Sequence, residues 1–256
     1  MRFMPLGVFD TCGHPDVMKC HFEVGETAVT VISEEEYVAA AEHAIFEARE
    51  RILRKISEDP FFLTTYDSYP VSDDDDELIK RMCQASELAG VGPMAGVAGA
   101  VAVFAVERMV EEGADYAIVE NGGDIALSID RDINVGVFQD DERFRELAFH
   151  VPRRDGVFGI CSSSGRIGPS VSFGNSSICT VFSDDVILAD ACATALGNMV
   201  KEGDGDEMSS ALETIGKVEG VDGCVCISNG LLAMFGKVPE LIRADNNGAE
   251  ASSIFF

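Results

Sequence analysis

An α+β fold, mostly in one domain, is predicted by the order in which helical and strand patterns follow one another along these 256 residues. A long segment with apolar residues three and four apart indicates an amphipathic helix near the start. Short apolar runs broken by turn residues then indicate a cluster of strands with helices between them. We therefore expect one domain over residues 1–256, built of mixed or antiparallel sheets packed with helices.

The first elements are a lead-in and a hairpin. Residues 1–18 show no periodicity and are predicted to be irregular. Lys19–Ile32 alternates apolar and polar residues around Gly25-Glu26-Thr27, which predicts two strands joined by a turn.

A long helix should follow. Ser33 with Glu36 matches a capping box, so the helix is predicted to begin there and to run to about Ile56. With the hairpin, this helix defines a candidate N-terminal subdomain over residues 1–70. The apolar stripe comprises Val38, Ala41, Ile45, Ala48 and Ile52.

Two further segments precede the strand cluster. Asp73–Asp76 suits the N-terminus of a helix, where negative charge is favoured, and contiguous acids lack the alternating ligand spacing of calcium loops. Gly90–Gly113 predicts a turn and then a buried helix. Its glycines would either admit a closely packed backbone or leave amides free to bind an anion, and the sequence does not decide between them.

The second half of the chain is predicted to hold most of the sheet. The Asn229-Gly230 pair is a strong signal for a type I′ turn between two strands. Residues 244–256 form a polar tail with an apolar tip, which would suit docking onto a neighbour or a second copy in a homodimer. The expected strands lie at 115–120, 124–130, 133–138, 144–151, 157–162, 178–182, 221–228 and 231–235, with helices around Asp190 and at 206–217.

Two segments carry candidate functional residues. Asp190 and Thr194 lie one helical turn apart, so a carboxylate and a hydroxyl would share one helix face, which suits a hard cation such as Mg²⁺. Asn121-Gly122-Gly123-Asp124 stands between two apolar runs, and glycine lets a ligand approach the backbone closely. Ser163-Ser164-Gly165 offers hydroxyls and amides that suit a phosphate.

These segments resemble the ApbE-like superfamily, whose type members are flavin transferases that move FMN from FAD onto protein threonines. The resemblance covers about Ala89–Val200 and includes Gly122–Ile125, Ser163–Gly165 and Ala189–Leu196 in the family's order and spacing. It implies the ApbE-like fold, a Mg²⁺ site at Asp190 and Thr194, and FAD or FMN as the ligand. It points to a UPF-type branch of the superfamily rather than to a transferase proper.

The chain departs from the transferase pattern at two places. The family's His-x-x-Asp-Pro-x-Thr-Gly stretch would fall at Arg166–Asn175, which contains neither His nor Asp. The family's Gly-x-x-x-Lys-Gly segment would fall at Gly92–Gly99, which has no Lys. Two hypotheses therefore stand: a Mg²⁺-dependent transferase or phosphoester-cleaving enzyme acting on a flavin-type nucleotide, and a non-catalytic cofactor-binding protein. A third is new chemistry using His150, Arg153 or Arg166.

Composition limits the partners. Nineteen basic against 45 acidic residues give a net charge of −26, which repels nucleic acid and anionic membranes. The longest apolar run, Met94–Val106, is short of the ~20 residues that span a bilayer, and Met1–Thr11 lacks a signal-peptide pattern. We expect a cytoplasmic protein whose partner is a small nucleotide-type ligand. Its eight cysteines, with no Cys-x-x-Cys pair, should be reduced and mostly structural.

Overall fold

The structure is a computed structural model that describes residues 6–9, 16–25, 27–137, 142–144, 146–164 and 178–243. These residues form twelve strands and six α-helices. The strands are β1 (Leu6–Phe9), β2 (Val17–Val24), β3 (Thr27–Glu34), β4 (Ala117–Asn121), β5 (Asp124–Ile129), β6 (Ile133–Val137), β7 (Leu147–Val151), β8 (Arg154–Ser163), β9 (Ile178–Ser183), β10 (Val221–Ser228), β11 (Leu231–Gly236) and β12 (Glu240–Arg243). The helices are α1 (Glu35–Glu58), α2 (Phe61–Thr64), α3 (Glu77–Ala89), α4 (Val97–Glu111), α5 (Val186–Met199) and α6 (Gly205–Ile215).

The strands form two sheets. The large sheet has eight strands in the order β11-β10-β9-β8-β5-β4-β3-β2, and the small sheet has four in the order β1-β6-β7-β12. All strand pairs in the described part of the chain are antiparallel. The predicted α+β class is confirmed, and of the two predicted sheet types, mixed and antiparallel, the sheets are antiparallel.

Helices cover one face of the large sheet, because alternate strand residues on that face are small and apolar. There α4 packs on β4 and β5, α5 on β8 and β9, and α6 on β10 and β11, while α1 packs against α4. Ala117, Val119 and Ala126 belong to the core between helices and sheet. Ile118 and Ile125, one residue away, belong to a second core on the opposite face together with Phe149 of the small sheet.

Helix α4 lies at the centre of the fold. By length and composition alone, Pro93–Glu111 is apolar enough to cross a membrane, and just over half of its most apolar window is buried inside the protein. The helix packs against α1, α5 and two strands of the large sheet. We therefore describe α4 as a core helix.

Most predicted elements are present. The β2–β3 hairpin, the α4 and α5 helices and the β10–β11 hairpin lie close to their predicted positions. Asn229 and Gly230 both have positive φ, at 48° and 75°, as a type I′ turn requires. Asp76 caps α3 by accepting the Leu78 N–H, and Asp75 pairs with Lys55, so these acids serve the helix as expected. Residues 244–256 lie outside the described residues.

Two expectations were wrong, and one strand was missed. The lead-in over residues 1–18 contains β1 and the start of β2. Strand β12 was not predicted at all. The capping box does not form, because Ser33 is the last but one residue of β3 and donates its hydroxyl hydrogen to the carbonyl oxygen of Tyr116, just before the neighbouring strand β4 (2.8 Å). Helix α1 begins at Glu35, without a side-chain cap, and continues to Glu58.

Candidate functional site

The turn between β4 and β5 brings two of the predicted residues side by side. Asn121 and Asp124 are directly opposite each other in the antiparallel pair, joined by Gly122 and Gly123. The two glycines have φ of 70° and 118°, in a region that residues with a Cβ rarely adopt. Asn121 donates its side-chain N–H to the Ala98 carbonyl oxygen (3.1 Å), so both side chains face the first turn of α4.

Asp190 reaches the same point from α5. Asp185 caps this helix by accepting the N–H groups of Ile187 and Leu188, which fixes where the helix begins. One turn later the buried Asp190 carboxyl group accepts the Gly99 N–H through Oδ2 (2.7 Å). The free amides at the start of α4 therefore hold an internal carboxyl group. Gly96 and Gly99 also pack closely against α5, so the glycines of this segment admit a neighbouring backbone, which is one of the two alternatives that the sequence left open.

Asp124 and Asp190 form a buried carboxyl pair. The two carboxyl groups are close enough to interact electrostatically, and Asp124 Oδ1 has no hydrogen-bond partner among the described residues. Burial, with the neighbouring Asp190 charge, raises the pKa of Asp124 well above its usual range. Burial likewise raises the pKa of Asp190 to about 7, against the opposing effect of the Gly99 and Ala98 amides. Two carboxyl groups this close cannot both ionise cheaply without a cation.

The remaining predicted residues lie on the elements that carry this pair or on the neighbouring strand. Ser163 and Ser164 are buried at the end of β8, two and three residues beyond Cys161, which lies opposite Asp124 in the sheet. Thr194 is half-buried on α5, one helical turn after Asp190. Gly165 lies outside the described residues. The structure thus brings Asn121, Asp124 and Asp190 together at the N-terminus of α4.

Two residues of this region were missed from the sequence. Cys161 places its thiol against the Asp124 carboxyl group and 3.5 Å from the Val186 carbonyl oxygen, and its burial among these acids raises its pKa. Glu120 lies in β4 with only 2% of its surface exposed, and burial raises its pKa to about 7. A glutamate inside an otherwise apolar strand was the signal that could have identified it.

His150 lies elsewhere. It belongs to β7 of the small sheet, where its Nδ1 is 3.0 Å from Asn134 Oδ1 and its Nε2 is 3.6 Å from Asp132 Oδ2. Arg153 lies between β7 and β8, where its backbone N–H donates to Asp132 Oδ1 (2.8 Å). Arg166 lies outside the described residues. A general-base role for His150 at the carboxyl pair therefore has no geometric support.

The donor set fits a hard cation better than a soft one. Within the described ranges, no three His, Cys, Asp or Glu side chains gather into a metal-binding cluster. What the site offers is two carboxyl groups, one with an oxygen that lacks a partner, and the Thr194 hydroxyl on the adjacent turn. Oxygen ligands in small number suit Mg²⁺, which keeps several waters and binds substrate phosphates.

Replacing Gly99 with Ala should destabilise the protein by about 2 kcal/mol, the usual cost of overpacking a core. A Cβ there would lie 2.8 Å from the Val186 carbonyl oxygen and 2.9 Å from Asp190 Cβ, so α4 and α5 would have to separate. The matched control is Gly205→Ala in α6, where a Cβ would meet no atom within 4 Å. Urea unfolding of both variants measures the difference, and equal stabilities would contradict the packing described here.

Sequence comparison places the chain among known proteins. A family model described as "AbpE bacteria" matches residues 12–211. A "UPF0280 protein" of Methanocella arvoryzae is 41% identical over 223 residues, which cover 87% of this chain and 90% of the relative. A "UPF0280 protein" of Archaeoglobus fulgidus is 42% identical over 228 residues, covering 88% and 94%.

Solved structures share the fold. The flavinyl transferase ApbE of Pseudomonas stutzeri in its apo form has a TM-score of 0.54 at 14% sequence identity, covering 86% of this chain and 93% of that one. The flavin transferase ApbE of Vibrio cholerae also has a TM-score of 0.54, at 12% identity, covering 86% and 97%. At such low identity the likeness establishes the fold alone.

Proposed function

Because the chain belongs to the ApbE-like family, in the branch of the UPF0280 proteins, we propose that it binds a flavin nucleotide or a related phosphorylated cofactor with the help of a divalent cation. The ligand would lie at the Gly122-Gly123 turn, beside the N-terminus of α4.

The observation that carries this proposal is the buried Asp124–Asp190 pair. Leaving a buried carboxylate oxygen without a partner costs free energy, and Asp124 Oδ1 is in this position among the described residues. Asp190 accepts the Gly99 N–H, but this structural role of Asp190 leaves Asp124 Oδ1 without a partner. A divalent cation would neutralise both carboxylates and supply the missing partner.

Each predicted residue has a role in this arrangement. Asp190 and Thr194 would hold the cation, and Asp124 would add its free oxygen. Asn121 positions the first turn of α4 through the Ala98 carbonyl group. The ligand would contact the backbone at Gly122 and Gly123 and the Ser163-Ser164-Gly165 turn. When bound, Mg²⁺ neutralises phosphate charge and polarises a phosphorus–oxygen bond.

Two outcomes follow for turnover. If the protein is catalytic, it is a Mg²⁺-dependent transferase or a phosphoester-cleaving enzyme acting on a flavin-type nucleotide. The second candidate, a cofactor-binding protein without turnover, is favoured by the absence of the family's His and Asp from Arg166–Asn175 and of its Lys from Gly92–Gly99. Product analysis after incubation with FAD and Mg²⁺ separates the two.

Thermal unfolding in the presence of FAD, FMN or ATP, each with and without Mg²⁺, tests the proposal. A ligand that binds only the folded state increases the free energy of unfolding, by about 2.7 kcal/mol at a concentration of a hundred times its Kd, and so raises the melting temperature. We expect a shift with a flavin nucleotide that requires Mg²⁺ and a smaller shift with ATP. If none of the three ligands produces a Mg²⁺-dependent shift, the proposed ligand class is wrong.

A further inference from the structure

Two cysteines face each other across neighbouring strands of the large sheet. Cys179 of β9 and Cys226 of β10 are directly opposite each other in an antiparallel pair. The Cys179 thiol donates to Cys226 Sγ across 3.5 Å. Both side chains are fully buried in the core between the helices and the large sheet. The fold thus brings into contact two thiols that are 47 residues apart in the chain.

The hydrogen bonding of β10 places this pair at a position that suits a disulfide. Lys237 donates its backbone N–H to the Asp222 carbonyl oxygen (2.7 Å), so Asp222 directs its backbone groups towards β11. The direction of these groups repeats every second residue, so Cys226 also directs its groups towards β11 and not towards β9. Cys226 and Cys179 therefore form a non-hydrogen-bonded pair, in which Cα atoms lie about 4.5 Å apart. A disulfide accepts Cα separations of about 4.4 to 6.8 Å.

Two further thiols of the same core are placed differently. Cys224 of β10 donates its thiol hydrogen to the Leu212 carbonyl oxygen of α6 (3.4 Å), and Cys192 belongs to α5. Of the cysteines that the structure describes, all are free and only Cys179 and Cys226 are hydrogen-bonded to each other. Across the same ranges, no three thiols, imidazoles or carboxyl groups gather into a metal-binding cluster. The chemistry that this pair offers is therefore that of a dithiol.

We propose that Cys179 and Cys226 form a redox modification site, at which a low-molecular-weight disulfide converts the two thiols into a cross-strand disulfide of the folded protein. One thiol loses its proton and attacks the disulfide bond of the reagent, which forms a mixed disulfide and releases one reagent thiolate. The second thiol loses its proton and attacks the protein sulfur of the mixed disulfide, which releases the other reagent thiolate. The two protons pass to the released thiolates. The protein is oxidised by two electrons, and the reagent is reduced by two.

Access to the pair depends on the edge of the large sheet. The hydrogen bond from Cys179 and burial raise the pKa of Cys226, so the closed fold keeps this thiol protonated and unreactive. Strand β10 is covered by β11, the last strand of the sheet, and by α6. Local opening at such an edge costs less free energy than complete unfolding. The reagent therefore reacts while the β10–β11 hairpin is open, and the new disulfide is buried when the hairpin closes.

The disulfide would join the two ends of a segment that contains α5 and α6. A cross-link that closes a long loop removes conformational freedom from the unfolded chain. Because the two thiols are already in contact, the bond requires little movement of the folded backbone. The oxidised protein should therefore unfold at a higher urea concentration than the reduced protein.

Peptide mapping without reduction tests the inference. The reagent is 2-hydroxyethyl disulfide, which is small and uncharged, so the net charge of −26 does not oppose its approach. Folded wild-type protein is incubated with it, the remaining thiols are alkylated and the peptides are identified by mass. Cys226→Ala removes the pair, and Cys192→Ala is the matched control because it removes a buried thiol of the same core that the proposal does not use.

Wild-type protein and Cys192→Ala should yield a peptide in which Cys179 is linked to Cys226, and dithiothreitol should cleave the link. Cys226→Ala should yield none. The circular dichroism of the oxidised protein should match that of the reduced protein, and its urea midpoint should be higher.

Three results would overturn the inference. One is the absence of the linked peptide from folded wild-type protein, which decides the matter even if Cys226→Ala fails to fold. Another is a disulfide that joins Cys179 or Cys226 mainly to Cys192 or Cys224. The third is an oxidised protein with a lower urea midpoint than the reduced protein, because the fold would then not suit the bond.

Discussion

Asp190→Asn should weaken the Mg²⁺-dependent binding of a flavin nucleotide by about a hundredfold or more, because second-shell changes alone cost 10- to 100-fold and Asp190 is assigned to contact the ion. The substitution keeps the shape of the side chain. Its amide oxygen can still accept the Gly99 N–H that Asp190 Oδ2 accepts now, at 2.7 Å. The variant should therefore fold, and it should lose the charge that holds the cation.

Asp184→Asn is the matched control. This substitution makes the same chemical change just before the same helix, at an exposed residue that pairs with Arg154. Surface ion pairs contribute little to stability. Ligand affinity in the control should equal that of the wild type, with and without Mg²⁺. If Asp190→Asn retains the Mg²⁺ effect in the same thermal-shift titration, Asp190 is not a metal ligand.

In metal-free buffer, the free energy of unfolding should fall as the pH rises from about 4.5 to 7. The folded state holds protons on Asp124, Asp190 and Glu120 that the unfolded chain releases near its ordinary carboxyl pKa values. Folding raises the pKa values of these groups. Their full contribution to the free energy of unfolding is therefore present at a pH below the pKa values of the unfolded chain, and it is lost as the pH rises towards the pKa values of the folded state. For Glu120, whose pKa rises from 4.5 to about 7, the loss is of the order of 3 kcal/mol.

Variants separate the contributions to this pH dependence. Glu120→Gln should remove the part of the pH-dependent fall in the free energy of unfolding that comes from Glu120, and the part that comes from the Asp124–Asp190 pair should remain. Saturating Mg²⁺ at pH 8 should restore only the free energy of unfolding that is lost through the Asp124–Asp190 pair, because the cation takes the place of the proton between these two carboxyl groups. Urea unfolding at pH 5 and pH 8, with EDTA or with Mg²⁺, measures each share. A stability that rises between these pH values in EDTA would contradict the raised pKa values.

The elements that could be predicted from the sequence are those that depend on residues close together in the chain. Helix α5 around Asp190 and the Asn229-Gly230 hairpin depend on neighbours within a few residues, and both form as expected. The capping box failed for a tertiary reason. Ser33 has the right local pattern, but β3 continues through it because the Ser33 hydroxyl and backbone pair with a distant strand.

The site could be predicted only in part. Motif resemblance selected Asn121, Asp124 and Asp190 individually, and the structure adds that they meet at the N-terminus of α4. The contact between Asp190 and the Gly99 amide spans 91 residues, which no local pattern encodes. Glu120 was not selected from the sequence because the sequence alone does not show that both faces of β4 are buried.

Titration of metal-free protein with Mn²⁺ at pH 8, followed by electron paramagnetic resonance, tests the central claim most directly, since Mn²⁺ prefers the same oxygen ligands as Mg²⁺. Wild-type protein should bind one Mn²⁺ that excess Mg²⁺ displaces, with an affinity that falls at pH 5 as the carboxyl pair takes up its proton. Asp124→Asn should weaken this binding and Asp190→Asn should abolish it. Equal Mn²⁺ binding in the wild type and in both variants would show that the buried carboxyl pair is not a cation site.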